Sequence, residues 1–156
     1  MKTNTSFQVA DYFIYLASQQ MIDKDFPEGV TPLKLQKLLY FAQCASLALN
    51  GKVLFDSKIQ AWQYGPVVKE IYHEYKGHER DTLITPSGLY NELDQQSKKV
   101  TKGIWDLLGK YSAGELVTIS HKHAPWLDNY REGMNDIEIP IKDMQLFYKN
   151  AFSFNE

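Results

Sequence analysis

The run Ser120-His121-Lys122-His123-Ala124-Pro125-Trp126 gathers a hydroxyl, two imidazoles and an indole into seven residues. Two kinds of chemistry use such groups. The first is metal binding. On one helix His121 and His123 would project about 200° apart and could not share an ion. On an extended segment they could share a face, yet zinc needs at least a third protein ligand, and no HExxH motif or cysteine pair supplies one. The second is nucleophilic catalysis, in which Ser120 or Cys44 would need a base beside it and a third group to orient that base. Adjacency of Ser120 and His121 is no evidence for this, because sequence neighbours usually point apart. There is no GxSxG elbow, no GxxxxGK[ST] phosphate loop and no GxGxxG fingerprint, and the carboxylates are scattered singly. The residues therefore point to a non-enzymatic protein with no cofactor and no metal.

A structural role suits the run better. The tetrad Ser112-Ala113-Gly114-Glu115 is a capping box before an apolar stretch, so it starts a short helix running towards His121. Pro125 fixes φ, Trp126 lays a large ring against neighbouring elements, and His121 is expected to tie off helix-terminal carbonyls with a ring nitrogen. Similar logic applies to Ala61-Trp62-Gln63-Tyr64-Gly65-Pro66-Val67. Gly65 permits a tight turn, Pro66 is expected to open a helix, and Trp62 and Tyr64 concentrate aromatic surface of the kind that binding modules present to protein partners.

The elements that must hold these corners are mostly helical. Val9, Phe13, Leu16 and Ala17 recur at spacings of three and four after Thr5 or Ser6 as N-cap. Pro27 and Gly29 break that pattern, and Thr31-Pro32 opens the next helix. Its stripe, Leu35, Leu38, Leu39, Ala42, Ala45 and Leu49, ends at Asn50-Gly51, and Tyr40, Phe41 and Leu47 widen it into a central helix. Residues 59–64 read as a short strand passing directly into a helix that carries Val67, Val68, Ile71, Tyr72 and Tyr75, and residues 82–85 could pair with that strand. Leu93, Val100, Ile104, Leu107, Leu108 and Tyr111 mark a further helix, with Gly103 as an interior weakness. A short helix runs from about Pro125 through Arg131 to Gly133, Ile137 and Ile139 suit a last strand, and Met144, Phe147 and Tyr148 lie on a terminal helix. The expectation is a mainly α, compact single-domain fold of about six helices with a small two- or three-stranded β element, spanning residues 1–156.

Composition narrows the function classes. Seventeen Lys and Arg against nineteen Asp and Glu give a net charge of -2, with Arg80 and Arg131 the only arginines, which disfavours nucleic acid as a partner. Lys98, Lys99, Lys102 and Lys110 cluster on one predicted helix and keep a nucleic-acid-binding regulator as the alternative. Cys44, the single cysteine, sits in an apolar run and fits a reducing cytoplasm. No segment approaches the roughly 20 apolar residues of a membrane span, so no membrane partner is expected.

Three blocks, TPLKLQKLLYFAQ (31–43), AWQYGPVVKEIYHEY (61–75) and SAGELVTISHKHAPW (112–126), resemble in order the SocA-like Panacea domain, also known as the GepA-type phage-associated domain. The resemblance rests on a helix with LQKLLYF, a W-x-YGPV turn and an SH-x-x-x-PW ending. It implies a mostly helical fold with a small β element, and an origin in prophages and mobile elements. It also implies an antitoxin paired with a cognate toxin, acting by direct binding or, as for one member of the family, by delivery of the toxin to the ClpXP protease. The matching motif residues, with a scaffold or partner-binding role, are Lys37, Tyr40, Phe41, Trp62, Tyr64, Gly65, Pro66, Val67, His121, Pro125 and Trp126.

Overall fold

The computed structural model describes residues 3–22, 29–78, 82–83 and 85–149. Helix α1 spans Ser6–Ile22. Thr5 caps it reciprocally with Gln8: the Gln8 amide donates to Thr5 Oγ1 at 3.2 Å, and the Thr5 amide donates to Gln8 Oε1 at 2.9 Å. Helix α2, Pro32–Asn50, opens on Thr31, whose side chain accepts from the Lys34 amide, and stops at Gly51 with φ 70°. Here a left-handed residue returns its N–H to the Leu47 carbonyl, which is why glycine follows the last turn.

Every residue of α2 from Lys34 to Leu47 is buried, and α1, α4 (Gln95–Leu108), α5 (Ala113–His121), α7 (Ile141–Tyr148) and a hairpin surround it. Five of those buried residues are polar, and each clips a neighbour's backbone. Lys34 donates to the Gly109 carbonyl, Ser46 to the Lys52 carbonyl and Lys37 to the Pro66 carbonyl. Gln43 accepts from the Leu54 and Phe55 amides and donates to the Phe55 carbonyl. Gln36 does the same for both backbone groups of Val68. A helix contacted on all sides needs no solvated face, and its polar side chains satisfy loops and strands that would otherwise leave buried groups unpaired.

The hairpin joins β1, Ile59–Trp62, to β2, Gly65–Val68, in antiparallel register with Ile59 opposite Val68 and Trp62 opposite Gly65. Pro66 thus lies inside a strand, not at the start of a helix; α3 begins only at Lys69 and ends at Glu74. The reason is that β1 gives Ile59 and Ala61 to the segment 137–139 on its other side, through Ile139 N–H to Ile59 O at 2.7 Å and Ala61 N–H to Ile137 O at 2.9 Å. Gln60 and Trp62 therefore face β2, which leaves Pro66 and Val68 on the outer edge. That edge is closed: Pro66 has no N–H, Lys37 takes its carbonyl, and Gln36 takes both groups of Val68.

Three other expectations change. Leu83 bridges Val30 and not β1, while Ile84 and Pro27 fall outside the described residues. The segment around Ile137 and Ile139 joins the sheet through a single bridge, Gln60 to Glu138. The helix beginning near Pro125 is a single turn, α6, Ala124–Leu127. The order of elements and the balance of helix over strand are as expected, with seven α-helices and one 3-10 helix, Leu89–Glu92, among the described residues. Asp11 of α1 positions that 3-10 helix by accepting from the Ser87, Gly88 and Tyr90 amides at 2.6, 3.0 and 3.0 Å.

Candidate functional site

The three sequence blocks converge on the turn of the hairpin. Gly65 has φ 104°, a conformation that side chains rarely adopt, and a Cβ there would stand 2.7 Å from Lys37 Cε and 2.9 Å from Ser120 Oγ. Lys37 comes from α2 and Ser120 from α5, so one glycine lets the turn seat against two helices. Lys37 Nζ, fully buried, donates to the Pro66 carbonyl at 2.9 Å, and burial pulls its pKa down to about 7. Trp126 in α6 donates from Nε1 to the Trp62 carbonyl at 2.7 Å, which ties the third block to β1. Pro125 is buried beside it.

His121 does not cap α5. The Ile119 and Ser120 carbonyls accept from the Lys122 and His123 amides, both at 3.2 Å, so the backbone itself closes the helix. The imidazole instead stacks on Trp126 at 3.9 Å and 20°, and Tyr130 stacks on the same indole at 4.6 Å and 13°. His121 Nε2 is buried without a hydrogen-bond partner. Burial lowers the ring's pKa, the Gln63 backbone pushes it up and the Lys37 charge pushes it down. Ser120 Oγ donates to the Val117 carbonyl at 2.9 Å. The serine hydroxyl is thus engaged by its own helix while the adjacent imidazole is held against an indole.

His123 belongs to a different cluster. Its Nδ1 meets the Tyr148 hydroxyl at 2.7 Å, and that hydroxyl meets Tyr40 at 3.0 Å. Phe41 lies edge-on to both His123 and Tyr148. These rings join α2, α6 and α7 in the core. Burial lowers the pKa of His123 and raises those of Tyr40, Tyr148 and Cys44. Among the described residues no group of three His, Cys, Asp or Glu side chains is placed to hold a metal ion.

The outer side of the hairpin is open. Trp62, Tyr64 and Val67 line a groove of about 550 Å³ together with Leu33, Tyr72 and Tyr75. Trp62 and Tyr72 meet edge to face at 4.8 Å, whereas Tyr64 is 62% exposed at the tip of the turn. The motif residues therefore divide by position. Lys37, Tyr40, Phe41, Gly65, Pro66, His121, Pro125 and Trp126 form the support, and Trp62, Tyr64 and Val67 reach the groove. Sequence reasoning missed Gln36 as the clip on β2, and Leu33, Tyr72 and Tyr75 as groove walls. Tyr72 and Tyr75 follow Trp62 within one block, but only the hairpin brings α3 back beside it.

The family model for the antitoxin SocA-like Panacea domain matches residues 35–127, more than half of the chain. The chain is similar to Antitoxin SocA of Caulobacter vibrioides (strain NA1000 / CB15N), 30% identical over 109 residues. That likeness takes in 62% of this chain and 58% of the curated relative, so it spans less than two thirds of that protein's length. No solved structure matches the chain. The matched residues contain α2 from its first turn, the hairpin with its closed edge, and the stacked corner of α5 and α6, and the chain belongs to the antitoxin SocA-like, Panacea domain family.

Proposed function

We propose that the chain is a non-enzymatic antitoxin, working as one domain over residues 1–156 in the cytoplasm, and that it neutralises a cognate toxin by seating part of it against the groove of Trp62, Tyr64 and Val67. The observation that carries this reading is the exposed Tyr64 at the rim of an aromatic groove, built from the residues of a family whose name is that of an antitoxin. Large rigid aromatics at a pocket rim supply contact area at low entropic cost and dominate protein-binding energetics. Buried Lys37, Gly65 and Trp126, with half-buried His121, act behind the groove as support and fix its shape. No described helix is long and apolar enough to cross a membrane.

The test is co-expression with the product of the neighbouring reading frame, expressed at a level that by itself inhibits growth. Wild type is expected to restore growth, and Tyr64→Glu is expected to abolish rescue while the melting temperature stays within about 2 °C, as suits an exposed side chain. Undiminished rescue by Tyr64→Glu would move the toxin to another surface, and failure of wild type to rescue would remove the antitoxin role. Delivery to ClpXP, as a second step after binding, predicts that the toxin's half-life lengthens in cells lacking ClpX. Equal half-lives would leave blockade by binding as the whole mechanism.

A further inference from the structure

A second groove lies on other elements, between the C-terminal half of α2 and the exposed side of α4. It has a volume of about 800 Å³. Ala45, Val100, Gly103 and Ile104 line its apolar part, and Leu49, 42% exposed, stands at its edge. Lys99 and Lys102 are on its rim. We propose that this groove is a docking site for an acidic amphipathic helix of a partner protein.

Gly103 is the first reason. It lies inside α4 with no left-handed φ, so its backbone does not call for glycine. A Cβ on it would meet nothing within 4 Å, so packing within the chain does not call for glycine either. Glycine in a helix interior costs about 1 kcal/mol relative to alanine. What the missing side chain provides is close approach from outside, across from Ala45, a small residue on α2. Such floors let a second helix lie near the backbone, with larger side chains of the visitor packing against exposed Leu49 and the edge of Val100.

Length and charge select the visitor. On α4 the groove runs from Gln96 to Asp106, which at 1.5 Å per residue is about 15 Å, the length of nearly three helical turns. Lys99 and Lys102 line this stretch with one carboxylate, Asp106, which is already paired with Lys102 at 2.9 Å. The exposed Lys99 leaves the rim with excess positive charge in a chain whose net charge is -2. Glutamates flanking an apolar seam complement that rim, whereas a second copy of the chain would bring the same lysines against themselves. The site shares no lining residue with the groove of Trp62 and Tyr64, so it stands whether or not that groove holds the toxin.

The full chain can be titrated against a fluorescent synthetic helix of about four turns, with a leucine and alanine seam flanked by glutamates, and against its twin with lysines in their place. Anisotropy at low salt is expected to show binding of the acidic peptide and at least tenfold weaker binding of the twin. Gly103→Met should weaken the acidic peptide at least tenfold while the melting temperature holds or rises, since methionine favours helix and its Cβ meets nothing within 4 Å. Gly103→Ala provides a smaller step in the same two directions. Lys99→Glu with Lys102→Glu should reverse the preference between the peptides, and Tyr64→Glu should leave both affinities unchanged. The proposal is overturned by absence of binding to the acidic peptide, by equal affinity for the two peptides, or by undiminished binding to Gly103→Met. A concentration-dependent dimer in sedimentation velocity that Gly103→Met dissolves would give the groove to a second copy and overturn it equally.

Discussion

His121 shows how a residue's partners, not its type, decide what it contributes. As a cap it would be worth its hydrogen bond, and glutamine would replace it better than a side chain without polar atoms. In the structure its value is the flat contact with Trp126 at 3.9 Å together with a hydrogen bond to the Gln63 backbone, and its buried Nε2 is a cost because no group pairs with it. His121→Phe should therefore keep the stack and shed the unpaired nitrogen while giving up the Gln63 bond, two effects of opposite sign. Thermal unfolding at pH 7 is expected to place His121→Phe within about 1 kcal/mol of wild type, and His121→Gln lower by about 1 to 3 kcal/mol through loss of the ring contact. The opposite order would mean that the imidazole's hydrogen bonding outweighs its stacking.

At the scale of elements, the hairpin shows how a central helix can do the work of a missing strand. Gln36 presents an amide to Val68 much as a neighbouring strand would, with 2.7 and 3.0 Å bonds to its N–H and C=O. Gln36→Leu fills a similar volume and leaves both groups unpaired in a buried place. A loss of about 2 to 6 kcal/mol is expected, at about 1 to 3 kcal/mol for each orphaned group. Hydrogen exchange locates the effect: the Val68 amide should lose protection more than amides in the middle of α4. Uniform loss of protection would show that β2 opens only with the whole molecule. The helices themselves were legible because their ends carry local signals, Thr5 with Gln8, Thr31 with Pro32 and Ser112 with Glu115. The strand containing Pro66 was not, because proline there depends on facing an edge, and which edge faces outward is set by residues 137–139 far along the chain.

For the whole molecule, the buried titratable groups set an unusual pH profile. The Lys37 amine, with its pKa pulled by burial to about 7, sheds its proton in the folded state while the unfolded chain still holds one. Stability therefore rises with pH above about 7, by at most about 1.4 kcal/mol per pH unit. His121 and His123 act in the same direction below about pH 6.5, since burial disfavours their charged forms as well. Cys44, Tyr40 and Tyr148 act oppositely at high pH. Burial raises their pKa values, so the unfolded chain ionises first: Cys44 offsets the Lys37 rise above about pH 9, and the tyrosines turn it into a fall above about pH 10. Melting temperature is expected to climb from about pH 5 to a maximum near pH 9 to 10, and Lys37→Met should flatten the part above pH 7 and make the part below 6.5 shallower, since the Lys37 charge helps to hold the His121 pKa down. A maximum near pH 6 in both proteins would show that water reaches Lys37 in the folded state.

The amino-acid sequence by itself determined the helical class, most helix boundaries and the three blocks that carry the family resemblance, because caps, turn residues and apolar periodicity act over a few residues. It also placed the motif residues on their elements, except Pro66 and Val67, which it put on a helix and which lie in β2. Only the tertiary structure decided which of them support and which are presented. Lys37 reads as either scaffold or partner contact until the surrounding elements bury every residue from Lys34 to Leu47, and His121 reads as a cap of α5 until its ring is seen stacked on Trp126. Burial and pairing are relations between segments far apart in the chain. Trp126 meets the Trp62 carbonyl and Lys37 meets that of Pro66 across sequence separations of 64 and 29 residues, distances over which no local pattern specifies a partner.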